Sequence, residues 1–507
     1  MADLSTIAAV DLGSNSFRLQ VARVVDDQIY PLDSLREPVR LGAGIDEHKR
    51  LDEASQQRAL ECLSRFGERL RGLPPEAVRA VGTNTLRVAK NAKEFRAKAE
   101  AALGFPIEVV AGREEARLIY LGVAHDLPVT GEKRLVVDIG GGSTEFIIGS
   151  GYRPQKLESL YMGCVSYSMR YFPGGRLSKS NLKQAELAAR IEVQAIAKDF
   201  SAGHWKEAVG SSGTARALAD IIEQSGWSDG GITADGLDKL RAALLKAGDA
   251  MRLPFPSLRM DRVPVLPGGF AIMAALFSEL DVRRMTVANG AMRQGILYDM
   301  VGRFHHRDMR DTTVTQFMKR YHVDAAQARR VEATASSLLH QFAGDLHADD
   351  THLLHLLSWA AKLHEIGITV AHNGYHKHSA YILRNADMPG FSKMEQSRLA
   401  TLVLAHRGSL EKMQGLLESD IDLALVAAIR LAVLFNRRRL ASSLPAIEAH
   451  CTLRKFRIKL DPKWLRDNPL TAAALANEVR EWAKLGIDLE IRSLQDLDID
   501  AAELLAE

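Results

Sequence analysis

Asp11-Leu12-Gly13-Ser14-Asn15-Ser16-Phe17-Arg18 returns 127 residues later as Asp138-Ile139-Gly140-Gly141-Gly142-Ser143-Thr144-Glu145. Each phrase follows a short apolar run, Ile7 to Val10 and Leu135 to Val137, that reads as a buried strand ending at the acid. An aspartate at a strand end can hold a divalent cation. The Gly/Ser/Thr turn behind it lets backbone N–H groups and hydroxyls approach phosphate oxygens closely. One such turn is a common connection between strands. Two, after equivalent strands, predict a pair of loops that clamp one phosphorylated ligand between two halves of a molecule.

Outward from these phrases the pattern is α/β. Ala77 to Val81 reads as a strand, Gly82-Thr83-Asn84-Thr85 as the loop after it, and Leu86 onward as a helix; Ile107 to Val110 is a strand before a helix opening at Arg113-Glu114-Glu115. A second α/β stretch starts at Lys133. Its corners are Val209-Gly210-Ser211-Ser212-Gly213-Thr214, Pro267-Gly268-Gly269 before a helix from Phe270, and Ala288-Asn289-Gly290. In such sheets ligands collect at the carboxyl ends of strands, where these polar loops fall. From Asp311 the pattern is almost wholly helical and holds 11 of the 16 histidines between His306 and His406. Near the end, Leu453 to Leu460 reads as a strand, Thr471 to Leu485 as a helix and Ile487 to Ile491 as a strand, a small α+β tail. The expected domains are 1–125, 126–310, 311–450 and 451–507.

At 507 residues the chain exceeds what one core supports. Cys62, Cys164 and Cys451 are few, odd in number and far apart, which argues against a disulfide framework and for a reducing cytosol. No cationic segment followed by a long apolar stretch opens the chain, and the apolar run Leu423 to Phe435 is too short to span a bilayer. A cytoplasmic protein without stable membrane insertion is expected. Net charge, +3, decides nothing, but its distribution does: ten Lys/Arg lie between Arg430 and Arg466 against Glu448 and Asp461, and seven acids follow Ile487 against Arg492. Two readings stand, a pair of solvated faces or a basic track for a polyanion.

Phosphoryl transfer needs charge neutralisation, in-line positioning and a group that orients the attacking water. Asp11, Asp138 and Glu145 are the candidate metal carboxylates, with Mg²⁺ the natural ion for oxygen ligands plus substrate phosphate. Ser14, Asn15, Ser16, Gly141, Gly142, Ser143, Thr144, Ser212, Gly213 and Thr214 are the candidate phosphate contacts. Arg87 is placed to fork onto non-bridging oxygens. Glu114 and Glu115 open a helix and point about 100° apart, so only one can face the phosphate.

Together with Gly82-Thr83-Asn84-Thr85-Leu86-Arg87 and Gly112-Arg113-Glu114-Glu115-Ala116-Arg117-Leu118, these phrases closely resemble the exopolyphosphatase/guanosine pentaphosphate phosphohydrolase (Ppx/GppA) family. The resemblance spans the whole chain. It implies two actin-like (ASKHA, ribonuclease H-like) domains, then an all-helical HD-like domain and a small α+β C-terminal domain. It places the catalytic glutamate on Glu115, the phosphate-orienting arginine on Arg87 and the magnesium acids on Asp138 and Glu145. The implied activity is processive release of terminal phosphate from inorganic polyphosphate, or alternatively of the 5′ γ-phosphate from guanosine pentaphosphate. A kinase and a non-catalytic polyphosphate or alarmone sensor are the rivals from other classes. Mg²⁺, with a monovalent cation such as K⁺ as activator, a homodimer, a place in the stringent response and no nucleic-acid partner go with this resemblance. In the helical domain the likeness to HD-type phosphohydrolases is incomplete. Leu363-His364-Glu365-Ile366-Gly367 stands where His-Asp-x-Gly would supply ligands, Asn436 stands for the last aspartate, and His376, His378 and His406 remain as partners. The expected site of chemistry is therefore the first two domains.

Overall fold

The computed structural model describes residues 5–25, 28–128, 131–304, 308–346, 351–417, 419–439, 444–452 and 454–494. The expected acidic stretch therefore lies largely outside the described residues. The chain forms two compact units, one up to Met309 together with Pro389–Lys393, the other from Arg310 to Met388 and from Met394 onward.

The first unit repeats one topology. Strands β1 (Thr6–Leu12), β2 (Phe17–Val25) and β3 (Gln28–Glu37) form an antiparallel meander, and β4 (Val78–Gly82) and β5 (Ile107–Val109) continue it in parallel, in the order β3-β2-β1-β4-β5. In the second sheet β6 (Arg134–Ile139), β7 (Thr144–Ser150) and β8 (Arg153–Leu160) make the meander and β9 (Glu207–Ser211) and β11 (Arg284–Val287) the parallel extension. Its order is β8-β7-β6-β9-β11, with the short β10 (Ile232–Thr233) added at the edge. The parallel strands are buried runs because helices cover them: Ile7 to Val10 and Leu135 to Val137 are all buried. Glu53–Leu70 shows how a covering helix is specified. Asp52 caps it by accepting from the Ser55 N–H at 2.6 Å, and Ala59, Cys62, Leu63, Phe66 and Leu70 recur on its buried face.

Gly112–Asp126 and Met292–Phe304 pack on each other, and their apolar residues share a core with Ile7, Ala9 and Val81 of the first sheet and Val136, Ile147 and Val209 of the second. Pro267-Gly268-Gly269 departs from the sequence reading. These residues are the buried first turn of the helix Leu266–Glu279, where a Cβ at Gly268 would stand 2.6 Å from the Cys164 carbonyl oxygen. Close helix approach, not a corner, requires glycine there.

A buried ion cluster ties this core together. Arg117 holds Glu114 through two hydrogen bonds of 2.8 Å and Asp299 at 2.6 Å, and Arg79 reaches Asp299 at 2.6 Å. Burial alone would raise the Asp299 carboxyl; the guanidinium groups of Arg117, Arg303 and Arg79 outweigh it and hold the group well below the usual carboxylate range. Removing Asp299 takes one carboxylate from buried Arg117 and Arg79, leaving them Glu114 and Glu108, so Asp299→Ala is expected to cost about 3 kcal/mol in chemical denaturation. A loss under about 1 kcal/mol would show the cluster to be structurally neutral.

The second unit is helical from Met309–Arg320 to Asp420–Phe435 and ends in a three-stranded sheet, Glu448–Thr452, Lys455–Leu460 and Asp488–Ser493, with the helices Pro462–Asp467 and Pro469–Ala483 between the last two strands. Arg430 is buried on Glu478, and Lys455 and Arg457 both pair with Glu490, so local ion pairs use much of the charge. Among the described residues no helix is long and apolar enough to cross a membrane.

Candidate active site

The two repeated phrases are the β1–β2 and β6–β7 hairpin turns. Register sets Asp11 opposite Arg18 and Asp138 opposite Glu145. The turns touch. A Cβ on Gly141 would stand 2.9 Å from the Ser14 Cβ, and one on Gly142 would stand 2.4 Å from Asn84 Oδ1, so only glycine permits this closeness. Between the turns is a cleft of about 110 Å³.

The structure brings Asp11, Ser14, Asn15, Ser16, Glu115 and Asp138 to the cleft wall, with Gly141, Gly142, Ser143, Ser212 and Gly213. Arg87, Thr144, Glu145 and Thr214 stand behind that wall. The Thr144 hydroxyl donates to the Met162 carbonyl at 2.6 Å and the Thr214 hydroxyl to the Ile139 carbonyl at 2.9 Å. Glu145 is buried and accepts from the Ser159 hydroxyl at 2.9 Å. Arg87 donates through one nitrogen to Glu115 Oε2 at 2.7 Å and to the Val110 carbonyl at 3.0 Å. Ser212 adopts φ +71°, a strained left-handed conformation for a non-glycine residue.

Of the two glutamates opening Gly112–Asp126, Glu114 belongs to the ion cluster and Glu115 faces the cleft. Among the described residues, Asn15 Oδ1 and Asn84 Nδ2 are buried without a hydrogen-bond partner on that same wall. Buried amides left in this way suit a polar ligand.

Acids and arginines share the cleft. Burial pushes Asp11 up to about 7, against the pull of Arg18 and Arg293, and Asp138 up to about 6, against the hydroxyls of Ser211 and Ser212. Burial, then the neighbouring Glu115 and Asp138 carboxylates, pushes Glu145 well up. Arg18, Arg216, Arg262 and Arg293 line the same cleft. Burial and the adjacent Arg293 draw Arg18 down to about 10, and burial draws Arg262 and Arg293 down as well. Desolvated acids call for a cation, and crowded guanidinium groups call for an anion. Among the described residues no three His, Cys, Asp or Glu converge into a ready metal cage. Two cleft carboxylates fit a small hard cation that draws its remaining ligands from phosphate and water, as Mg²⁺ does.

The arginines of the cleft were missed by sequence reasoning, although a signal exists. Arg18, Arg216 and Arg293 each follow a glycine corner by three to five positions, after Gly13, Gly213 and Gly290. Arg262 lies in the proline-marked loop, where no local pattern points to it.

The histidines of the second unit form their own cluster. His364 and His406 ring centroids lie 5.1 Å apart and those of His376 and His406 6.2 Å apart. Asn436 is engaged elsewhere, donating to Thr334 Oγ1 at 3.0 Å and to the Ala432 carbonyl at 2.8 Å. Burial lowers all three rings, His376 to about 4 and His406 well below its ordinary value. The unfolded chain, titrating near 6.5, then binds more protons. Stability from these rings is full above about 6.5 and is lost as pH falls toward about 4. Hydrogen exchange in Lys393–Ala405, corrected for intrinsic rate, is expected to quicken several-fold from pH 7 to pH 5. Slowing over that range would reverse the sign.

A model described as the Ppx/GppA phosphatase family matches residues 20–304, and one for domain III of that family matches 309–479. A Vibrio cholerae protein named guanosine-5'-triphosphate,3'-diphosphate pyrophosphatase is 40% identical over 486 residues, 96% of this chain and 97% of its own. Among solved structures, an Aquifex aeolicus member of the Ppx/GppA family is 26% identical with a TM-score of 0.51, covering 59% of this chain and 99% of its own. A Cytophaga hutchinsonii exopolyphosphatase has a TM-score of 0.53 at 24% identity over 58% of this chain and 97% of its own, a likeness of fold.

Proposed function

This chain belongs to the Ppx/GppA phosphatase family, and from that premise we propose that it hydrolyses the terminal phosphoanhydride bond of a phosphate chain in the cleft between the two hairpin turns. The carrying observation is that buried acids and arginines line one cleft of about 110 Å³. A terminal phosphoryl group supplies the anion that these arginines call for.

Arg18, Arg262 and Arg293 bind the non-bridging oxygens, and the turn residues Ser14, Gly141, Gly142 and Ser143 cradle them through backbone N–H groups. Asp11 and Asp138 would hold Mg²⁺, with Glu145 behind them. When bound it supplies charge neutralisation at the phosphate oxygens and lowers the cost of the developing negative charge. Glu115 accepts a hydrogen bond from water and aims it at the terminal phosphorus. As the new P–O bond forms, the bridging P–O bond breaks, the water's proton passes to Glu115 and the shortened chain leaves with the bridging oxygen. Arg87 acts as a positioning residue, because it fixes Glu115 Oε2 and leaves Oε1 for the water.

Two substrates fit this chemistry. Guanosine pentaphosphate is favoured by the likeness to the Vibrio protein over nearly the full length of both chains. Inorganic polyphosphate, the first expectation from sequence, is favoured by the number of arginines at the cleft, more than one phosphate needs. Phosphate release from guanosine pentaphosphate, long polyphosphate and ATP, measured side by side with Mg²⁺, separates them. Faster turnover of ATP than of either would overturn the proposal in favour of a nucleotidase or kinase reading.

A further inference from the structure

The second unit contains a cavity of about 510 Å³, larger than the hydrolytic cleft. Its walls come from the turn Ile366–Thr369, the start of Tyr375–Asn385, the end of Asp420–Phe435 and the helix Pro469–Ala483. Among the described residues Arg407, Arg430, Arg437 and Arg439 share the lining with two carboxylates, Glu365 and Glu478, and Arg439 also lies 3.8 Å from Asp324.

Both carboxylates are taken. Arg430 is buried and grips Glu478 with two hydrogen bonds of 2.8 and 2.7 Å, while its remaining nitrogen donates to the carbonyls of Ala405 and Gly408 at 2.6 and 3.0 Å. Glu365 pairs with Arg439. Arg407 and Arg437 are exposed at the cavity and, among the described residues, neither pairs with a carboxylate; Arg407 lies 5.2 Å from the Tyr375 ring centroid. Nearby, among the described residues, His364 Nε2 and His376 Nδ1 are buried without a hydrogen-bond partner, His364 Nε2 lying 3.8 Å from Glu365 Oε1. His364 packs edge-on to His406, itself part of the wall.

The His364-Glu365 pair read from sequence as a remnant of a cation site. The structure reverses its sign: a guanidinium neutralises Glu365, Asn436 donates to Thr334 and Ala432, and among the described residues no metal-ligating cluster exists. What remains is surplus positive charge beside an apolar wall of Ile368, Val433, Leu434 and Ala474 and the ring of Tyr375. Cavities of roughly 300–1,000 Å³ with convergent polar groups are the usual size for small-molecule ligands.

We propose that this cavity is a ligand site of the second unit for a phosphate-bearing molecule of nucleotide size. Arg407 and Arg437 take the phosphates, and Tyr375 with the apolar wall takes the uncharged ring system. Free phosphate chains share the first half of this chemistry but not the second.

The test uses the full chain carrying Glu115→Gln to hold turnover down. Hydrogen exchange over residues 366–385, 403–410 and 430–439 is followed on adding GDP, tripolyphosphate or guanosine. GDP is expected to protect these segments. Combined Arg407→Gln and Arg437→Gln, at exposed positions that spare the fold, should weaken that protection by about a hundredfold in concentration, roughly tenfold for each charge-assisted contact. Protection by GDP beyond that given by tripolyphosphate or guanosine supports the proposal; equal protection by tripolyphosphate would overturn its nucleotide half and assign the site to phosphate chains. Absence of protection by all three at saturation, or an unchanged concentration dependence in the double variant, would overturn it. The readout is local, so it stands or falls independently of which substrate the cleft hydrolyses.

Discussion

Glu115→Gln is expected to lower turnover by about two to four orders of magnitude, the range for a positioned acid or base, while leaving binding of the phosphate chain largely intact. The glutamine keeps the shape but cannot accept the water's proton. Arg87 loses its ionic partner at 2.7 Å, and its main-chain contact to Val110 remains to hold it. The control is Glu114→Gln. Glu114 is committed to Arg117 and does not line the cleft, so its loss should appear in stability before it appears in kcat. Single-turnover phosphate release separates chemistry from binding. Unchanged turnover in Glu115→Gln, or a larger kcat loss from Glu114→Gln, would move the role away from Glu115.

Asp138→Ala is expected to reduce activity by about three orders of magnitude or more at ordinary Mg²⁺, since charge and coordination go together. Stability should move the other way. In the metal-free protein the Asp138 carboxyl is pushed up to about 6, chiefly by burial. Its favourable contribution is therefore present below the unfolded value near 4 and is lost as pH rises through about 6. At pH 8 the ionised group is a cost, so the metal-free variant should melt no lower than the parent. It should also lose most of the rise in melting temperature that Mg²⁺ gives the parent. A variant whose Mg²⁺ dependence matched the parent would sink the assignment. A variant that melted much lower without metal would make Asp138 a structural residue.

Which of the proposed site was legible beforehand follows from how local each signal is. The hairpin turns could be read because an acid, glycines and hydroxyls are contiguous, and their partner strands are short apolar runs. Ser14, Asn15, Ser16 and Gly141 to Ser143 lie where that reading expects them, at the cleft. Thr144 and Thr214 look the same in sequence, yet their hydroxyls serve neighbouring carbonyls. Nothing in a hydroxyl's identity tells which way it turns. The meander strands β2, β3, β7 and β8 were not read, because they connect by short antiparallel turns and β3 and β8 are largely exposed or half-buried, without a long apolar run.

Contiguous pattern alone determined that this chain has an α/β half built on a repeated phosphate-type turn, then a helical part and a small mixed tail, because strand and helix periods and turn chemistry are written within a few residues. Tertiary structure decided the rest. It turned Glu115 to the cleft and committed Glu114 to Arg117 in a cluster with Asp299, a residue 185 positions away in the chain. It gathered Arg18, Arg216, Arg262 and Arg293 from four separate segments onto one cleft. It also placed Arg439 on Glu365, turning a remnant cation motif into a positively charged cavity. Each of these outcomes depends on charges brought together over long sequence separations and desolvated by the packing around them, and neither distance nor desolvation is a property of any local stretch of sequence.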